Sequence, residues 1–253
     1  MTAMVREEER VDALHRKGYQ IIQNPSRFCF GMDAVLLSDW AVVHKGDQVV
    51  DLGTGTGIIP ILLEAKSPPA RFYGLEIQEE MADMARRSVE LNQLEPAIEI
   101  LHGDLCETER FFPAHSVDVV TCNPPYMKAP AGLKNRDASV TASRHEICCT
   151  FADVARAASR LLRSKGRFYL VHRPARLVQI FEELRREKLE PKRLRLVHPF
   201  RDREPSMVLV EAVREAGEEL RTAPPLIIYE RPGQYTREIY EIYGYPYPGE
   251  ETE

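Results

Sequence analysis

Asp51-Leu52-Gly53-Thr54-Gly55-Thr56-Gly57 is the stretch on which the fold turns. The apolar run before it, Gln48–Leu52, reads as a buried strand, and residues 58–65 after it read as a helix. Glycines let the backbone turn tightly and approach a ligand with no Cβ in the way. The helix start then offers free N–H groups to a negative group. The spacing is G-x-G-x-G. It is neither the G-x-G-x-x-G of dinucleotide binders nor a P-loop, because no Gly-Lys-Ser/Thr follows.

Working outward, strands at 71–76, 97–101, 117–122 and 166–171 alternate with helices at 79–92, 147–162 and 175–188. Residues 193–198 and 206–212 read as a closing antiparallel hairpin with its turn at 200–205. The alternation implies a mostly parallel sheet covered by helices on both faces. Ahead of the loop, residues 8–16 read as a short helix and 19–23 as a short apolar run, and Asp33 is placed to cap a helix over 34–43. Three regions follow: an N-terminal extension (1–46), a central domain (47–213), and a tail (214–253) that is acidic and then rich in Tyr and Pro.

Ligands of such sheets bind beyond the carboxyl ends of the strands. Glu76 ends the second strand of the central domain, where a carboxylate accepts both hydroxyls of a ribose. Asp104 follows the third, in reach of an adenine amino group. Together with the glycine loop they read as a site for a nucleoside without a pyrophosphate. Asn123-Pro124-Pro125-Tyr126 ends the fourth strand. Two prolines fix φ and supply no N–H donors, which leaves nearby carbonyls free to accept. The Asn123 amide oxygen and the Pro124 carbonyl can both accept from one planar amino group and favour its pyramidal, nucleophilic form. Such contacts strengthen toward the transition state. Asn is a poor base, so the electrophile must already be reactive, as a sulfonium methyl is. Tyr126 offers a flat face to a base extruded from its stack.

These residues resemble the class I S-adenosylmethionine-dependent methyltransferases, in the branch that methylates amino nitrogens. Residues 23–25 and 28–37, the Arg144-His145-Glu146 triplet and residues 166–174 look like the bacterial enzymes that N6-methylate an adenosine beside the anticodon of a valine tRNA. The resemblance implies a Rossmann-like fold with a seven-stranded, mostly parallel sheet, and S-adenosyl-L-methionine as cofactor. It implies that Asp51, Gly53, Thr54, Gly55 and Gly57 hold the methionine end and that Glu76 takes the ribose. Asp104 would face the adenine, and Gly31 and Asp33 would pack over the cofactor. Asn123, Pro124 and Tyr126 would hold the target base, with Asn123 also beside the cofactor, and Lys128 and Arg144 would meet the RNA. Two other acceptors stay open: a glutamine amide in a protein such as a release factor, and guanine N2 in ribosomal RNA. A nucleoside-binding module without catalysis is a further alternative.

Composition bounds the rest. The 253 residues carry a net charge of −5, unlike a typical RNA-binding chain. The segment 160–203 nevertheless holds 14 Lys or Arg against 5 Asp or Glu, a local +9, leaving −14 elsewhere. Five scattered cysteines (29, 106, 122, 148, 149) without a CxxC pair read as reduced thiols in a cytoplasmic protein with no metal site. No apolar run is long enough to span a membrane. The expected partner is an RNA, in particular a tRNA.

Overall fold

The structure, a computed structural model, describes residues 4–27, 29–124 and 149–248. The apolar runs become strands β3 (Gln48–Leu52), β4 (Arg71–Glu76), β5 (Ile98–His102), β6 (Val117–Cys122) and β7 (Leu162–His172), each named after the two short strands β1 (Arg10–Ala13) and β2 (Gln20–Gln23). Strands β8 (Leu189–His198) and β9 (Met207–Arg214) follow. These seven long strands lie in the order β8-β9-β7-β6-β3-β4-β5. Strands β3 to β7 pair in parallel, and β9 is antiparallel to both β7 and β8. The Rossmann-like, mostly parallel sheet expected from the sequence, with its closing antiparallel hairpin, is thus the one observed. Two short strands, β10 (Arg221–Thr222) and β11 (Leu226–Ile227), add to the edge of β8.

Helices cover both faces, as a sheet with two apolar faces requires. On one face α1 (Met32–Trp40), α2 (Ile58–Lys66) and α3 (Glu79–Leu91) bury Leu36, Leu37, Ile61, Leu63 and Ala85 against Val49 and Phe72. On the other, α4 (Phe151–Leu161) and α5 (Leu177–Arg186) bury Ala155, Leu161, Ile180 and Leu184 against Val50, Val120 and Phe168. Side chains alternate across a strand, so adjacent residues such as Val49 and Val50 serve opposite cores.

Four local expectations are corrected. Residues 8–16 are not helical: β1 pairs antiparallel with β2 from Arg10–Gln23 to Ala13–Gln20. Lys17 and Gly18, both at positive φ, close that hairpin. Helix α1 starts at Met32 and ends at Trp40, so Asp33 lies in its first turn rather than at its cap, and accepts from the Ala34 N–H (2.9 Å). Helix α4 starts at Phe151 because Thr150 and Asp153 form a reciprocal capping box. Of its expected first residues, 147 and 148 lie outside the described residues. Strand β7 begins at Leu162, four residues earlier than the sequence indicated.

Residues after β9 form the hairpin β12 (Tyr229–Arg231) and β13 (Gln234–Tyr235) and helix α6 (Arg237–Tyr243). The Arg16 guanidinium donates to the Glu241 and Ile242 carbonyls at the end of α6, and the His15 ring meets Tyr245 edge-on at 4.7 Å. Gly244 follows α6 at φ +74°, where a Cβ would lie 2.5 Å from the His15 carbonyl.

Candidate functional site

Strand β3 delivers Asp51 and the glycine loop to the carboxyl edge of the sheet. Gly53, Gly55 and Gly57 all adopt positive φ (71°, 58° and 83°), so other residues would be strained there. Gly57 also packs so closely on α3 that a Cβ would sit 3.3 Å from the Ala85 Cβ. The loop is pinned to β4: the Gly53 and Thr54 N–H groups both donate to the Leu75 carbonyl (2.9 and 3.1 Å).

Glu76 is buried at the end of β4 and holds the loop directly. Its Oε2 accepts from the Gly55 N–H (2.8 Å) and its Oε1 from the Gln78 N–H (2.9 Å). Each carboxylate oxygen retains a further lone pair. Next along the edge, the Gly103 N–H donates to the Glu76 carbonyl (2.9 Å). Asp104 follows and caps a short 3₁₀ turn, accepting from the Cys106 N–H (2.8 Å). Thus Glu76 and Asp104 end neighbouring parallel strands.

On the other side of β3, the register sets Asp51 opposite Thr121 and Leu52 opposite Cys122. Asn123 and Pro124 come immediately after β6, level with Gly53, and both are half-buried. The Thr121 hydroxyl donates to Asp51 Oδ1 (2.7 Å). Burial pushes the Asp51 carboxyl up to about 7 and the Glu76 charge adds to the rise, while the Thr121 hydroxyl opposes it. The Thr54 hydroxyl lies close enough to favour the anion, yet completes no hydrogen bond to it. Asp51 Oδ2 and Thr54 Oγ1 are both buried without a partner. Buried polar atoms ordinarily find partners. Two orphans beside a loop of positive-φ glycines suit a ligand that brings its own donors.

Four contributors escaped the sequence reading. Thr121 lies two residues before Asn123, hence on the same face of β6, and that spacing was available as a signal. Gly74 of β4 pairs with Asp51 of β3, and a Cβ on it would fall 2.7 Å from the Thr54 side chain. Gln78 supplies one of the Glu76 donors. His172 ends β7 beside this corner. Burial and the Arg176 and Arg173 charges push it down to about 4, and its Nδ1 accepts from the Arg173 N–H (2.7 Å). It is therefore a neutral imidazole at neutral pH.

Gly31 precedes α1, and the charge of Asp33 reaches Tyr243. Tyr126, Lys128 and Arg144 lie outside the described residues. Among the described residues, Cys106, Cys149 and Asp153 bring ligand atoms within 4.8 Å of one another. Asp153 is committed to Thr150 and Arg156, burial pushes the Cys149 thiol up to about 12, and the Cys106 thiol is raised as well. The basic segment 160–203 is partly neutralised by acids from elsewhere: Arg163 by Asp118, Arg167 by Asp47, Arg193 by Glu211 and Arg195 by Glu238. No helix among the described residues is long and apolar enough to cross a membrane.

The positive-φ glycines, the buried Glu76 brace and the orphaned Asp51 and Thr54 atoms thus gather on the carboxyl edge of the sheet, where ligands of such sheets bind. The chain belongs to the methyltransferase small-domain family, whose model matches residues 31–187. Among its curated relatives, the tRNA1(Val) (adenine(37)-N6)-methyltransferase of Porphyromonas gingivalis is 30% identical over 240 residues, covering 91% of this chain and 93% of the relative. The enzyme of the same name from Parabacteroides distasonis is 28% identical over 183 residues, covering 72% of this chain and 75% of its own. Among solved structures, a predicted O-methyltransferase from Agrobacterium tumefaciens superposes with a TM-score of 0.69 at 25% identity, covering 85% of this chain and 98% of that one. The geranyl diphosphate C-methyltransferase of Streptomyces coelicolor shares the fold at a TM-score of 0.54 and 16% identity, over 72% and 76% of the two chains.

Proposed function

We propose that the protein transfers a methyl group from S-adenosyl-L-methionine to the N6 amine of an adenine in tRNA, the adenosine beside the anticodon of a valine tRNA. One observation carries the chemistry: Asn123 and Pro124 follow β6 at the level where the glycine loop follows the neighbouring β3. An amine held at the first corner faces a donor held at the second. The near full-length relatives in Porphyromonas gingivalis, named as adenine-N6 methyltransferases of tRNA1(Val), support the choice of amine.

The residues present fit the donor. Asp51 Oδ2 and Thr54 Oγ1 await hydrogen-bond donors such as an ammonium, and the glycines remove the Cβ atoms that would fill the cradle. When bound, S-adenosylmethionine supplies an electrophilic methyl on sulfur. Glu76 would accept from ribose hydroxyls with its remaining lone pairs, Asp104 would face the adenine, and Gly31 and Asp33 would pack over the cofactor.

At the acceptor, the Asn123 side-chain oxygen and the Pro124 carbonyl accept the two amino hydrogens and turn the nitrogen lone pair out of the ring plane. That stabilisation grows as the nitrogen pyramidalises, so it lowers the barrier rather than only tightening binding. Asn123 removes no proton; the proton leaves after transfer, when the nitrogen is cationic and acidic. Tyr126 stacks on the extruded base, and Lys128 and Arg144 meet the RNA backbone.

The test incubates the protein and radiolabelled S-adenosylmethionine with total RNA, and separately with total protein, from a strain lacking it. Label recovered as N6-methyladenosine in valine tRNA is the expected result. Label in glutamine side chains or in N2-methylguanosine overturns the assignment.

A further inference from the structure

Phe200 stands in the turn between β8 and β9, at the carboxyl end of a strand parallel to β7 and β6. The turn is firmly built. The Arg203 N–H donates to the Phe200 carbonyl (3.1 Å), the Ser206 N–H to the Val197 carbonyl (2.9 Å), and His198 Nδ1 lies 2.7 Å from the Arg203 carbonyl. Strand β11 runs alongside the end of β8, and the Tyr229 N–H donates to the Pro199 carbonyl (3.0 Å), which brings the β12–β13 hairpin against the turn.

A file of rings results. Phe200 lies 5.4 Å from Tyr229 at 32°, Tyr229 stacks on Tyr235 at 5.2 Å, Tyr235 on Tyr243 at 6.0 Å, and Tyr243 on Tyr245 at 5.1 Å. Tyr229, Tyr235 and Tyr243 each have ring neighbours on two sides. Phe200 ends the file among the described residues and is only partly buried. Arg173 donates to the Ser206 carbonyl (3.1 Å) just after the turn, and the exposed Arg201 and Arg203 lie within the turn. Asp202, Glu204 and Glu230 temper their charge.

A flat ring that ends a stack is extended by another flat ring, which every nucleobase has and most side chains lack. The order β8-β9-β7-β6 puts the Phe200 corner three strand spacings of about 4.8 Å from the Asn123 corner, roughly 14 Å. That is too far for Phe200 to touch a base held by Asn123, and close enough for a base a short single strand away.

We infer that Phe200 is a stacking platform for an unpaired base flanking the target nucleotide, with Arg173, Arg201 and Arg203 set beside the intervening phosphates. The assignment rests on the RNA reading of the catalytic site. Stacking rather than net charge carries this contact, because acids stand among the arginines.

The experiment is a double-mutant cycle on methylation of a synthetic anticodon stem-loop. Phe200→Ala raises KM for the stem-loop about tenfold, the weight of one lost base–ring stack. Phe200→Trp restores the wild-type KM, and affinity for S-adenosylhomocysteine, which checks the fold, is unchanged in both variants. Stem-loops made abasic at one loop position at a time include one that costs the wild type the same tenfold and costs Phe200→Ala nothing more. An unchanged KM in Phe200→Ala, or additive losses at every abasic position, overturns the platform while leaving tRNA methylation standing. A wild-type protein that methylates protein and no RNA overturns the underlying reading, and the platform with it.

Discussion

Glu76 holds the glycine loop by its own carboxylate: Oε2 accepts from the Gly55 N–H at 2.8 Å while Oε1 accepts from the Gln78 N–H at 2.9 Å. The residue assigned to the ribose is therefore also the brace that shapes the loop beside it. Glu76→Gln keeps the shape but sets an NH2 group against one of two backbone donors. We expect a loss of about 1–3 kcal/mol in stability, the cost of a buried donor left unpaired. Cofactor affinity should fall at least tenfold. Thermal unfolding and titration calorimetry read the two effects, and an unaltered melting temperature counts against the bracing role.

Asp51 gives opposite pH slopes for stability and binding. Its folded carboxyl titrates near 7 because of burial, above the ordinary 3.8. Between these values the folded state holds a proton that the unfolded chain has lost. The ligand-free protein should thus lose stability as pH rises from about 4 to 7, by at most about 1.4 kcal/mol per pH unit from this group. Binding of the cationic donor needs the anion, so its affinity should rise from pH 6 to 8. Asp51→Asn should flatten both profiles, and calorimetry across this range that finds a flat wild-type binding profile removes Asp51 from the donor site.

Asn123→Ala removes one preorganised acceptor at the amine. Turnover should drop on the order of 10²–10³, by the scale of losing one polar group aimed at a transition state. Single-turnover methyl transfer at saturating RNA and cofactor measures it. A rate within threefold of wild type would falsify the assigned role.

Gly74 tests the packing behind the site. A Cβ there lies 2.7 Å from the Thr54 side chain and 2.8 Å from that of Ile100. Gly74→Ala should cost about 1–3 kcal/mol through overpacking. It should also weaken cofactor binding by displacing Thr54, whereas Ile100→Val in the same background should recover stability more than affinity. Equal recovery of both would place the clash at Ile100 alone.

The parallel sheet was legible because its strands are short apolar runs with glycine or proline at their ends, and because a parallel order puts every such end on one edge. Hence the positions of Asp51, Glu76, Asp104 and Asn123 along that edge follow from sequence. The β1–β2 hairpin was not legible: Arg10–Ala13 is only four residues long and mostly exposed, and its pairing with Gln20–Gln23 depends on a turn of positive-φ residues rather than on periodicity. Gly74 looked like any strand residue, since its role is set by Thr54 in the glycine loop that follows the neighbouring strand. Likewise, the tyrosines of the tail gave composition but no order, because Phe200 and the end of β8 organise them.

The clasp between Arg16 and the last turn of α6 has a bearing on synthesis. Ribosomes release a chain from one end, and the early hairpin meets its partner carbonyls only once Glu241 and Ile242 have emerged. Chains cut short of Ile242 lack that latch, so the β1–β2 hairpin gains this tie only once α6 is present.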